Sequence, residues 1–330
     1  VTQEDIMQMV EGFIARLMRE VMDREIPTPL PRLTYQEAME RYGSDKPDTR
    51  FGMEIQDLSA IARDSAFSLF AETVAGGGSV RAIVAKGAAA SLSRKGLDKL
   101  TTQAKGIGAK GLATIRWSDD APNCSFAKLL GENELPRYLE ALGMERGDVA
   151  LIVADKDRVT LPVLGQLRLT LGNQLGLIPE GMFNYLWITS FPFFEYDEES
   201  QSFVAMHHPF TMPLEEDLEY LSSDPGRVRA QAYDLVLNGT ELLSGSIRIT
   251  DYELQERMFR SLGLTPEEIE AKFGFLVEAY HYGAPPHGGV GIGLDRLAMV
   301  LLGAESLRDV VAFPKVQNER ADERVPVAGG

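Results

Sequence analysis

The sequence is nearly without cysteine, and that shortage closes off several kinds of chemistry. Its single cysteine, Cys124, leaves no partner for a disulfide within the chain and excludes a cysteine-based zinc site. A reducing, cytoplasmic setting fits that usage best. Long apolar runs are also missing. The longest, such as Leu297 to Leu302, are core-sized and far short of the roughly 18 residues a membrane span requires. No initiator Met precedes Val1, and neither a basic n-region nor an apolar h-region follows it. The expectation is a processed start or a piece of a longer chain. Basic residues are in deficit, 33 Lys and Arg against 49 Asp and Glu. The net charge of -16 argues against a protein that coats nucleic acid.

What is present suffices for ordinary globular folding. With 330 residues, 44% of them hydrophobic and 25% charged, the chain can bury the cores of two domains. The charge is uneven. Gly78 to Arg116 holds eight basic residues (Arg81, Lys86, Arg94, Lys95, Lys99, Lys105, Lys110, Arg116) and one acid, Asp98, whereas Glu195 to Tyr220 holds eight acids and no base. Two solvated faces of opposite sign and a partner-binding patch both fit this pattern.

Periodicity divides the chain into three parts. Ile6, Met9, Val10, Phe13, Ile14, Leu17 and Val21 recur at helical spacing between Glu4 and Asp23 and predict an amphipathic helix. Pro27, Pro29 and Pro31 end it. Thr34 and Glu37 then form a capping box that opens a short helix, stopped by the polar loop Tyr42 to Asp48. From about Gly52 to Ile178, strand-like runs (Val80 to Val84, Leu112 to Trp117, Val149 to Val153) alternate with helical runs (Arg94 to Lys105, Val163 to Leu175), the content of one α+β domain. After Pro179, Tyr185 to Tyr196 and Phe203 to Phe210 predict a hairpin about the acidic turn Asp197-Glu198-Glu199. Arg227 to Leu237 predicts a helix with Gly239 at C′, and Ser244 to Ile249 a strand. A capping box at Thr265 to Glu268 opens another helix that ends near Gly283. Antiparallel strands with helices on one side make this an α+β fold, not a doubly wound sheet.

Chemistry concentrates in the last part. Gly288 to Arg296 reads Gly-Gly-Val-Gly-Ile-Gly-Leu-Asp-Arg, a glycine-rich strand running into a helix that stops at Gly303. Glycines let a nucleotide approach the backbone, a helix start favours phosphate, and Arg296, one turn in, could reach it. The run is neither a dinucleotide-binding fingerprint nor a P-loop.

This string resembles motif 3 of class II aminoacyl-tRNA synthetases. Its neighbours narrow the resemblance to bacterial aspartyl-tRNA synthetases. Met206-His207-His208-Pro209-Phe210-Thr211, the run Tyr233 to Glu241, Ser244 to Ile249, Phe273-Gly274-Phe275 and Tyr282 to Gly289 stand in the family's order and spacing. Arg41 to Asp48 is similar to the family near its insertion point, and Asp309 to Lys315 to its C-terminal end. The resemblance covers nearly the whole chain. It implies an antiparallel-sheet catalytic domain in two segments, 1–52 and 179–330. Between them, 53–178 would be an inserted domain of the kind also found in tRNA-dependent amidotransferases.

The resemblance further implies an aspartate–tRNA ligase that activates L-aspartate with ATP and Mg²⁺. Arg296 would hold the γ-phosphate of ATP, with Gly293, Leu294 and Asp295 forming the floor. Glu241 and Asp234 would ligate Mg²⁺, whose hard character suits carboxylates. Arg248 would fork onto the aspartate side-chain carboxylate, a geometry that disfavours asparagine's amide. Ser246 lies on the same strand face, and His207 would face the amino acid while His208 packs or caps. Implied partners are tRNA(Asp), with tRNA(Asn) left open, and a second copy in a homodimer, in the cytoplasm and away from membranes. Since every candidate residue lies outside the insert, that segment is expected to serve RNA and not adenylate formation.

The chain also departs from the family. Leu243 precedes Ser244-Gly245-Ser246 where small residues are common, and Ser190 stands where many relatives carry an acid. The anticodon-binding domain and motifs 1 and 2 have no counterpart in these residues, so the chain is expected to be inactive alone. Two other readings remain open: a shortened paralogue that binds tRNA or a partner without catalysis, and an asparagine synthetase-like adenylate-forming enzyme.

Overall fold

The computed structural model describes residues 1–118, 121–197 and 201–314. Helix α1 (Gln3–Met22) begins at Thr2, whose side chain accepts from the Asp5 N–H in a capping box. Strand β1 (Arg32–Thr34) leads into α2 (Tyr35–Tyr42), capped by Thr34 and Glu37 and ended by Gly43 in the left-handed region. These elements follow the sequence reading closely.

The middle of the chain forms its own unit. It runs β2 (Gln56–Asp57), α3 (Ser59–Ala62), α4 (Ser68–Ala75), β3 (Ser79–Ala85), α5 (Arg94–Ile107), β4 (Ala113–Arg116), β5 (Asn123–Cys124), α6 (Glu134–Ala141), β6 (Val149–Asp155) and α7 (Asp157–Gln174). The strands make an antiparallel sheet in the order β2-β3-β6-β4-β5. One face packs on α5 and α7 through Ile83, Leu100, Leu151, Val153, Leu164 and Leu167; the other packs on α3, α4 and α6 through Phe70, Phe126 and Tyr138.

The last part comprises β7 (Tyr185–Thr189), β8 (Phe194–Asp197), β9 (Ser202–Ala205), β10 (Ala232–Leu237), β11 (Thr240–Ile247), α8 (Tyr252–Ser261), α9 (Pro266–His281), β12 (Gly288–Ile292) and α10 (Leu294–Leu302). A second sheet runs β1-β7-β10-β11-β12. All its pairs are antiparallel except β1 with β7, which are parallel, so the first and last segments of the chain share one sheet. Its back is closed by α1 and α10: Ile6, Met7, Val10 and Ile14 meet Trp187, Tyr233, Leu235, Leu243 and Leu297.

Three expectations are corrected. The segment read as a helix over Arg227–Leu237 is a 3-10 turn followed by strand β10. Gly239 is no helix stop; with Asn238 it forms the β10–β11 hairpin turn, both at positive φ (84° and 51°). The stretch from Tyr185 to Tyr196 is not one strand. It breaks at Ser190 (φ 55°) before Phe191-Pro192, so β7 joins the large sheet while β8 pairs with β9 in a separate ribbon. The partner strand ends at Ala205 and does not reach Phe210. Glu198 and Glu199 of the acidic turn, and Lys315 onward, lie outside the described residues.

Candidate functional site

The β10–β11 hairpin sets the site's geometry. Asp234 is opposite Ser244 and Ala232 opposite Ser246; β12 then places Gly291 beside Ser244 and Gly289 beside Ser246. Because side chains alternate across a sheet, Tyr233, Leu235 and Leu237 go to the α1 core while Asp234, Ser244, Ser246 and Arg248 share the opposite face. Leu243 is 2% exposed and belongs to the core behind the sheet, so it packs beneath the site without crowding it.

The glycines of β12 differ in purpose. A Cβ on Gly288 would come within 2.8 Å of Ile6 and Ile247 side-chain atoms, so packing requires glycine there. A Cβ on Gly289 would meet nothing within 4 Å, and one on Gly291 only a carbonyl at 4.0 Å. Those two positions keep a low, open floor that packing does not demand.

At one end of this face, a cavity of about 570 Å³ is lined by Arg248, His208, Phe210, Tyr280, His287 and the β12 glycines. The Arg248 backbone N–H donates to the His287 carbonyl at 3.0 Å, fixing the strand end. Its guanidinium is half-buried and, among the described residues, has neither a hydrogen bond nor an ion pair. An uncompensated guanidinium in a cavity is a receptor for a carboxylate. His208, stacked on Phe210 with ring centroids 4.7 Å apart, has its pKa lowered by burial and by the charge of Arg248.

His207 takes a different place. Its ring meets Phe191 edge-on at 5.3 Å, burial lowers its pKa, and its buried Nε2 has no partner. His208, not His207, lines the Arg248 cavity. Ser246 is buried and accepts a long 3.4 Å hydrogen bond from Thr211 Oγ1.

Toward the other end stand two carboxylates and an arginine. Asp234 is 9% exposed, its Oδ1 has no hydrogen-bond partner, and its pKa is pushed up to about 6, chiefly by burial and then by the neighbouring charges of Glu241 and Asp45, against Ser244 and Lys46. Arg296, in the first turn of α10, donates from Nη1 to the Glu241 carbonyl at 2.8 Å and lies 3.6 Å from the Glu241 carboxylate. Gly293 ties in the helix start, its N–H donating to the Leu242 carbonyl at 2.8 Å. Leu294, 70% exposed, and Asp295 head α10 toward solvent. No group of three or more potential metal ligands occurs among the described residues. An orphaned, desolvated carboxylate oxygen beside a second carboxylate nonetheless suits Mg²⁺, which keeps several waters and takes phosphate oxygens as further ligands.

Sequence reasoning missed Tyr280, Phe210 and His287 as walls of the Arg248 cavity. Phe210 and His287 each lie inside a motif run; Tyr280 carried no local signal.

The arrangement is an open sheet face with an arginine, unpaired among the described residues, at one end and an arginine-and-carboxylate cluster at the other, on an α+β frame. A family model described as tRNA synthetases class II (D, K and N) matches residues 1–317. The chain belongs to that family. It is 52% identical over 315 residues to an aspartate–tRNA(Asp/Asn) ligase of Caldanaerobacter subterraneus subsp. tengcongensis, covering 96% of this chain and 53% of that protein. It is 50% identical over 319 residues to an aspartate–tRNA ligase of Clostridium perfringens, covering 96% and 53%. The chain thus spans about half the length of the curated relatives it matches. Among solved structures, a putative aspartyl-tRNA synthetase from Leishmania major is 26% identical over 46% of this chain and 25% of its own, with a TM-score of 0.31. No helix among the described residues is long and apolar enough to cross a membrane.

Proposed function

We propose that this chain carries the amino-acid and phosphate subsites of an aspartate–tRNA ligase. The observation that carries the reading is the order of groups along one sheet face. Glu241 in β11 and Arg248, just past the end of that strand, are seven residues apart, roughly 23 Å at about 3.3 Å per residue, with Asp234 between them in the pairing. An amino acid joined end to end with a triphosphate nucleotide matches that span. Arg248 takes the aspartate side-chain carboxylate through its two-pronged donor edge, which asparagine's amide nitrogen cannot accept from. Ser246 lines the same face. Gly289 and Gly291 admit the nucleotide close to the backbone. Arg296 takes the terminal phosphate, and Asp234 and Glu241 hold Mg²⁺, which neutralises phosphate charge when bound. His208 lines the same cavity, its pKa lowered by burial and by the charge of Arg248.

The relatives' names support tRNA(Asp) as the acceptor, with tRNA(Asn) as a further substrate in some of them. A cytoplasmic homodimer of the relatives' length completes the reading, and the 330-residue chain alone forms no adenylate. The test is pyrophosphate exchange by an enzyme of that length carrying these residues. Exchange with aspartate and not with asparagine is expected; equal exchange with asparagine rejects the role of Arg248.

A further inference from the structure

We propose that Arg168, in the inserted unit, is a positioning residue for the Asp234–Glu241 hairpin and acts on it through the loop between Gly43 and Gly52; this rests on the reading of that hairpin as the phosphate and metal end of the site. Arg168 projects from α7 and is 1% exposed. Its guanidinium donates to the carbonyls of Asp48 (3.0 Å), Phe51 (2.6 Å) and Gly52 (2.8 and 3.1 Å), and lies 3.9 Å from the Phe51 ring centroid and 4.9 Å from that of Tyr42. A buried guanidinium is costly unless its donors are satisfied. Here main-chain oxygens and aromatic faces satisfy them, so the cation acts as a clamp on backbone shape. The helix reaches the loop because Gly165 and Gly43 allow it: a Cβ on Gly165 would lie 2.6 Å from the Gly43 carbonyl.

The clamped loop bears directly on the hairpin turn. A Cβ on Gly239 would lie 3.3 Å from the Asp48 Cβ. Asn184 Nδ2 donates to the Thr49 carbonyl (3.2 Å), and the Asn184 N–H donates to Asn238 Oδ1 (2.9 Å). Asp48 is held in turn by Arg50, whose Nη1 reaches the Pro179 carbonyl at 3.4 Å. Asn238 and Gly239 join β10 to β11, so they lie between Asp234 and Glu241 in the chain. Asp45 and Lys46, in the same loop, also act electrostatically on Asp234, with opposite signs. A simple buttress would end at Gly52; this line of contacts continues to the turn that spaces the two carboxylates.

Amide hydrogen exchange of the 330-residue chain, wild type against Arg168→Met, tests the relay. Exchange at Gly239 to Leu242 should quicken about tenfold while the β3–β6 pair keeps its protection. Faster exchange confined to the 43–52 loop and α7 would overturn the proposal. Asn184→Ala cuts the same line at its far end by removing one side-chain hydrogen bond, and decides the matter should Arg168→Met unfold; it too should quicken the turn, and an unchanged turn counts against the relay. In an enzyme of the relatives' length, Arg168→Met should raise the KM for ATP several-fold and leave that for aspartate, whose Arg248 lies at the other end. An equal rise in both would also overturn it. The exchange readout needs no substrate, so it stands even if the site reading fails on the aspartate test.

Discussion

The Arg296 guanidinium is tied to Glu241 twice, by a 2.8 Å hydrogen bond to its carbonyl and by a 3.6 Å approach to its carboxylate. The first contact fixes where the arginine stands at the head of α10. The second sets a carboxylate against the guanidinium, but both side chains are substantially exposed, so this ion pair is weak and easily exchanged. On the proposed reading, a phosphate would replace the carboxylate on Arg296 and free Glu241 for Mg²⁺.

Arg296→Lys should therefore raise the KM for ATP by about tenfold in an enzyme of the relatives' length, because a lysine keeps charge but loses the fork. The KM for aspartate should hold. A raised aspartate KM with ATP unaffected would misplace Arg296.

Arg248→Lys should do the opposite. Charge-assisted hydrogen bonds are worth roughly 1.5–3 kcal/mol each, so losing one raises the aspartate KM by about 10- to 100-fold. Steady-state kinetics for both substrates checks the split.

The Asp234 carboxyl gives a pH prediction that needs no substrate. Its pKa in the folded chain is about 6, against 3.8 ordinarily, so the native state binds more protons than the unfolded state between those values. Stability then falls as pH rises from about 4 to 6 and stays reduced above, by an amount on the order of 3 kcal/mol. Asp234→Asn should stabilise the metal-free chain at pH 7.5, with the gain fading by pH 4. A gain independent of pH would mean the carboxyl titrates normally.

The basic stretch of the insert divides in the structure. Arg81 pairs with Asp57 and Asp157, Lys86 with Asp148, Lys110 with Asp155, and Arg116 bonds the Ala89 carbonyl. Arg94, Lys95, Lys99 and Lys105 of α5 are exposed. Changing Lys95, Lys99 and Lys105 to Glu should weaken tRNA binding at low salt and flatten its salt dependence by about 0.7–0.9 in log–log slope for each phosphate no longer neutralised. An unchanged slope removes the RNA role. Point changes are the cleaner test: deleting residues 52–178 would also remove Arg168 and disturb the hairpin it steadies.

Much of the fold is legible in local sequence signals. The capping boxes at Thr34 and Thr265 and the helix α1 are written within one or two helical turns, and the structure keeps them; of the α1 stripe, Ile6, Val10 and Ile14 are buried, whereas Met9, Phe13 and Val21 are exposed and Met7 and Met18 take their place in the core. Strand β10 is not, because Tyr233, Asp234, Leu235, Val236 and Leu237 are all buried. A strand covered on both faces shows no alternation, and its Leu- and Ala-containing run reads as helix. The signal that decides it is Asn238-Gly239, the strongest short hairpin mark. The two adjacent histidines cannot be ordered from sequence, since the chain leaves β9 at Ala205 and strand alternation no longer applies. Arg168 is invisible for another reason: its partners are carbonyls more than a hundred residues away.

On the proposed reading, one sheet face holds the whole reactant, with aspartate at Arg248 and phosphates toward Arg296. A crystal structure of an enzyme of the relatives' length, carrying these residues and bound to a non-hydrolysable aspartyl-adenylate analogue, tests it most directly. The account predicts the aspartate side-chain carboxylate forked on Arg248 and the phosphate mimic above Gly289 and Gly291. A carboxylate bound elsewhere, with Arg248 still unpaired, would contradict it.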